Sequence, residues 1–167
     1  SVINAVFNHR NFYDGRANNQ FNGVDPHGAR SNINGTVNGI WINDGGLNQV
    51  QVLINNSSLA SPAVGPPNNT TEMACAGRTF PLLGRKMLDR YALSNQLVNA
   101  GDSVLGGMRS TSSSRGLSYK YRDMIVAAFQ DKYWNAPNTV DGDFSQMEAN
   151  FSLFWGLAIQ LYESTLV

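Results

Sequence analysis

Turn-forming pairs recur through the first half of this chain so densely that no long helix or strand fits between them. Asp14-Gly15, Asn22-Gly23, Asp25-Pro26 and Asn34-Gly35 interrupt residues 1–35, and Gly65-Pro66-Pro67 with Asn68-Asn69 do the same further on. Asn, Asp and Gly tolerate positive φ or bond their own backbone, so each pair favours a tight turn. Residues 1–35 therefore read as a short extended or helical start, Ser1 to Phe7, followed by a long ordered loop. Between the turn-rich stretches, residues 36–55 read as a β-hairpin. Val37, Ile40 and Ile42 flank Trp41, Asp44-Gly45-Gly46 supplies the turn, and Val50, Val52 and Ile54 alternate on the return.

The second half changes period. Met87, Leu88, Tyr91 and Val98 recur near helical spacing and predict a helix over Arg85–Val98. Arg109 to Gly116 is a polar connector. A second helix is expected over Leu117–Tyr133, and a third from Phe144-Ser145 through Tyr162. There Ser145 and Glu148 form a capping-box pattern. The apolar arc of this third helix is wide enough to predict burial against several neighbours, with Gly156 and Ala158 permitting close approach of a backbone or a flat ring. The expected fold class is mainly α with long ordered loops and one β-hairpin. Residues 1–84 would be loop-rich and residues 85–167 helical.

Composition narrows the function classes. Lys+Arg and Asp+Glu balance at 12 each, so no global field draws in nucleic acid or an anionic membrane. No apolar run reaches the length that spans a bilayer. Cys75 stands alone, which rules out an internal disulfide and suggests a buried thiol. Low charge with abundant Asn and Gly leans toward a secreted or periplasmic protein. The first and last residues carry no start or stop signals, so the chain is expected to be an interior fragment.

Three stretches resemble the bacterial di-haem cytochrome c peroxidase family, which includes the MauG-like enzymes and the di-haem rubber-cleaving oxygenases. Ser1-Val2-Ile3-Asn4-Ala5-Val6-Phe7-Asn8, followed by Phe12-Tyr13-Asp14-Gly15-Arg16-Ala17, is similar to a run that follows the first haem-attachment motif. Ala63-Val64-Gly65-Pro66 leading to Thr71-Glu72-Met73 resembles the family's distal loop, and Phe154 to Val167 its helix ending in E-x-T-L-V. No Cys-x-x-Cys-His occurs here. The resemblance places the chain between the two attachment motifs, with a partial di-haem cytochrome c-like fold. The full-length parent would carry two c-type haems and calcium, and none would be covalently attached to this fragment, which alone would be inactive.

The resemblance implies a role for particular residues. Glu72 would be the catalytic carboxylate that takes a proton from bound peroxide and returns it to the leaving oxygen, though the residues alone favour a surface loop glutamate. Phe12, Tyr13 and Arg16 would form the haem environment. Tyr13 stands where relatives usually have an inter-haem tryptophan, and Arg16 would pair a propionate or, more simply, Asp14. Pro62 replaces a frequent glutamine. Phe80 would wall the pocket or pack in the core. His9 and His27 read as solvated loop residues, and Met73 as a hydrophobic anchor.

The implied function is a periplasmic di-haem peroxidase that reduces hydrogen peroxide with electrons from a small donor such as a cytochrome c or a cupredoxin. A MauG-like or rubber-oxygenase-like oxidase on the same scaffold is the alternative. A third reading is an Asn/Gly-rich extracellular binding module without haem.

Overall fold

Short elements joined by ordered turns make up the first eighty residues of the computed structural model, which describes residues 2–33 and 36–167. A 3-10 turn at Ala5–Phe7 takes up the apolar start. The Asn34-Gly35 turn lies outside the described residues. Around it, β1 (Asn32–Ile33) and β2 (Thr36–Val37) form a small antiparallel pair that the sequence reading folded into the loop and hairpin. The hairpin proper is β3 (Ile40–Asn43) with β4 (Leu47–Val50), Ile40 opposite Val50 and Asn43 opposite Leu47. Gly45 takes a φ of 72° in the connecting turn, a conformation that glycine adopts without steric cost. The hairpin ends earlier than expected. Ile54 instead exchanges both backbone bonds with Phe21, at 2.9 and 2.8 Å.

Five helices are described: α1 (Ala60–Ala63), α2 (Phe80–Met87), α3 (Tyr121–Ala128), α4 (Gln146–Ala149) and α5 (Phe151–Glu163). The architecture is thus mixed, helices with an antiparallel hairpin, and turns, bends and irregular backbone together occupy more of the chain than helix. α2 corrects the helix expected over Arg85–Val98. Thr79 caps it by accepting from the Leu82 amide, and Pro81 suits its first turn, so it starts earlier. It ends at Met87 because the following backbone pairs elsewhere: Tyr91 bridges Lys120, Leu97 bridges Arg115, and Arg109 bridges Leu117. Ala92, Val98 and Leu117 form a small separate core under these turns. The expected division at residue 84 therefore falls inside α2. α3 is shorter than Leu117–Tyr133, with the Asp123 carboxylate accepting from the Lys120 amide at 2.9 Å and a separate 3-10 turn at Asp131–Tyr133.

The Ser145–Glu148 capping box forms as the sequence predicts, the Ser145 amide donating to Glu148 Oε2 at 2.7 Å. The helix beyond it is not continuous, however. Asn150 breaks it because its side chain bonds the hairpin. Trp41 N–H donates to Asn150 Oδ1 at 2.8 Å, and Asn150 Nδ2 donates to the Trp41 and Tyr133 carbonyls at 2.7 Å each. Gln146 adds bonds from Nε2 to the Trp41 and Lys132 carbonyls, both 2.8 Å, and accepts from the Ala136 amide. Gln146 and Asn150 are 0% and 1% exposed, so these two amides clamp the hairpin to the helical half inside the core.

The main core gathers Phe21, Ile40, Phe80, Leu88, Ile125, Met147, Phe151 and Phe154. A Cβ on Gly156 would lie 2.8 Å from the Phe21 ring and 3.2 Å from the Ala60 carbonyl. The flat ring that needs this glycine is therefore a core phenylalanine. Only the first half of α5 is buried; Leu161 and Tyr162 are 67% and 66% exposed, which narrows the all-round burial expected for this helix.

Candidate functional site

A short bridge between Asn11 and Ala17, with both amide bonds at 3.3 Å, closes residues 12–16 into a protruding loop. Asn11 Nδ2 donates to the Ser58 carbonyl at 2.9 Å and Ser58 Oγ to the Asn8 carbonyl at 2.7 Å, pinning that loop beside α1. Phe12 holds a positive φ of 66°, rare for a bulky residue, and this turns its ring outward. The Arg16 guanidinium stacks 4.4 Å from the ring centroid and bonds Asp14 Oδ2 at 3.1 Å. The Arg16 amide, and then its side chain, hold the Asp14 carboxyl below its usual range. The Asp14 pairing weighed from sequence is therefore present.

Glu72 comes from a different device. The amides of Glu72, Met73 and Ala74 all point at the Asn69 carbonyl, at 3.0–3.1 Å, while Asn69 Oδ1 accepts from Thr71 N at 2.8 Å. This knot follows the 3-10 turn Pro66–Asn68 and presents Glu72 and Met73 on different sides. Glu72 lines an open cleft of about 410 Å³ together with Phe12, Arg16, Pro66 and His27. Met73 lines a neighbouring apolar cleft of about 610 Å³ that shares Phe12 and Pro66 with the first. Sequence positions 12, 16 and 72, read as one site, are thus brought together.

Other expected residues are placed apart. Tyr13 is 98% exposed at the loop tip and lines neither cleft. Phe80 packs in the main core, whereas Pro62 walls the apolar cleft beside Phe12. Cys75 is exposed, which corrects the expected buried thiol; it follows the Asn69 knot on the surface. His9 is exposed outside both clefts.

His27 is exposed, as expected of a solvated loop residue, and it also lines the open Glu72 cleft. Asp25 Oδ1 accepts from the His27 amide at 2.8 Å, and the Asn18 amide donates to the Pro26 carbonyl at 3.3 Å, folding that loop back. Nothing local signals this. Glu163 closes the apolar cleft at the end of α5, on the same helical stripe as Trp155 and Ile159, and that spacing of four was legible.

Among the described residues, no group of three or more His, Cys, Asp or Glu side chains is placed to hold a metal ion. No described helix is long and apolar enough to cross a membrane. No family model matches the chain, and neither a curated protein nor a solved structure matches it.

Proposed function

We propose that this chain is the distal-pocket segment of a periplasmic or secreted di-haem cytochrome c peroxidase, whose mainly α, cytochrome-like parent fold extends beyond it. The observation that carries the reading is the convergence of Phe12, Arg16 and Glu72 on one cleft from loops about sixty residues apart. The donor set suits an open haem face, with an apolar wall from Phe12, Val64 and Pro66, a carboxylate, and a guanidinium. Haem bound there would supply the redox chemistry that takes electrons from a small donor protein to hydrogen peroxide. Arg16, whose fork is already oriented by Asp14 and the Phe12 ring, would hold a propionate with its remaining donors. Glu72 would move one proton between the two oxygens of hydrogen peroxide.

In the full-length protein, Glu72→Gln is expected to lower peroxide-dependent oxidation of reduced cytochrome by about 10²- to 10⁴-fold with the Soret spectrum unchanged. An unchanged rate, or flanking coding sequence without Cys-x-x-Cys-His, overturns the reading. One observation favours the oxidase or oxygenase alternative on the same scaffold: the larger apolar cleft adjoins the Glu72 cleft and has room for an organic substrate. Consumption of dioxygen without a reduced cytochrome identifies that case.

A further inference from the structure

The larger cleft holds a carboxylate that no described residue pairs. Its walls are Phe12, Pro62, Pro67, Met73, Trp155 and Ile159, and among the described residues Glu163 is the one Asp, Glu, His, Lys or Arg side chain that lines it. The polar groups nearby are committed: Trp155 Nε1 donates to the Ala63 carbonyl at 3.0 Å, and the Asn11 amide to Ser58. The Glu163 side chain is half-buried and has no hydrogen bond or ion pair among the described residues. Three effects therefore oppose its ionised form. Burial raises its pKa, no cation among the described residues compensates, and it sits on the last residue of α5, where the helix dipole already places partial negative charge. Half-buried carboxylates normally find a partner, and this one faces an apolar cavity instead.

We infer that the cleft is a binding site for an apolar, ring-bearing organic cation, whose protonated amine or amidine meets Glu163 while its rings lie against Trp155, Phe12 and the proline wall. An aromatic face beside a carboxylate is a favourable seat for a desolvated cation. Volume suits the class as well, since ligand clefts of this kind run about 300–1,000 Å³. The site does not depend on haem, so its failure leaves the Glu72 reading standing, and loss of that reading leaves this one.

The test uses three probes of similar shape on the 167-residue chain: 1-naphthylmethylammonium, neutral 1-naphthylmethanol and anionic 1-naphthoate, followed by Trp fluorescence and by chemical-shift changes at the Trp155 indole. At about pH 8 the cation is expected to bind at least about tenfold more tightly than the anion, with the Trp155 signal shifting. In Glu163→Gln, checked as folded by circular dichroism, the neutral probe keeps its affinity and the preference for the cation disappears. Equal binding of cation and anion, a preference that survives Glu163→Gln, or shifts that bypass Trp155 overturn the assignment.

Discussion

Replacing Asn150 by leucine tests how the hairpin is held to the helices. The substitution keeps the side-chain volume and removes three bonds at once: Trp41 N–H to Oδ1, and Nδ2 to the Trp41 and Tyr133 carbonyls. The Trp41 carbonyl keeps Gln146 Nε2 as a partner, so its loss is partial. The Trp41 amide and the Tyr133 carbonyl lose these bonds in the interior, and orphaning a buried polar group costs about 1–3 kcal/mol each. Together that is about 2–6 kcal/mol, against a total stability of roughly 5–15 kcal/mol for a domain of this size. Urea unfolding followed by Trp fluorescence measures the difference. Hydrogen exchange at the Trp41 amide locates it. Exposed Asn138 is the control, where the same change is expected to stay within about 0.5 kcal/mol. A loss below about 1 kcal/mol in Asn150→Leu, or undiminished protection of the Trp41 amide, refutes the clamp.

Other perturbations separate the remaining arguments. Gly156→Val drives methyl groups into the Phe21 ring and the Ala60 carbonyl, so urea unfolding should show a loss of at least about 1–3 kcal/mol. Ser145→Ala removes the cap of α4 and is expected to cost about 1 kcal/mol by the same assay. Two glutamates should show opposite pH dependence. At Glu148 burial opposes the charge, but the Arg85 and Ser145 bonds outweigh it and hold the folded pKa below its unfolded value. Its contribution is therefore present above the unfolded value and lost as pH falls through the folded one, so Glu148→Gln destabilises at about pH 7 and less in acid. At Glu163 the folded pKa is raised, so stability is favoured below the unfolded value and lost as pH rises through the folded one. Glu163→Gln should therefore raise the unfolding midpoint at about pH 8 and leave it nearly unchanged at about pH 4.

Elements defined by local chemistry were readable in advance. The hairpin turn at Asp44-Gly45-Gly46 and the capping box at Ser145 and Glu148 each rest on neighbours within a few residues, and both formed. Where the reading missed, a distant partner decided the backbone. Met87, Leu88 and Tyr91 have helical spacing, yet residues 91, 97 and 109 pair with residues 120, 115 and 117, and α2 stops at Met87. Nothing around Asn150 distinguishes it from a helix-interior asparagine. Its role depends on Trp41, more than a hundred residues away.

The site divides along the same line. Phe12 and Arg16 are four residues apart in sequence and Glu72 lies far from both, so their meeting is a product of the pinning bonds from Asn11 and Ser58 and of the knot on the Asn69 carbonyl. That knot also explains why two adjoining clefts exist. Consecutive amides converging on one carbonyl force the side chains of residues 72 and 73 to diverge, placing a carboxylate on the polar side and a thioether on the apolar side. The two clefts then share only the Phe12 ring and Pro66 as a partition. A molecule held against Glu163 and one handled by Glu72 would be separated by little more than that ring. Because the main-chain carbonyl holds the knot, Asn69→Ala removes only the Thr71 amide bond to Oδ1 and should leave both proposed functions nearly unchanged, whereas Glu72→Gln and Glu163→Gln should each disturb one.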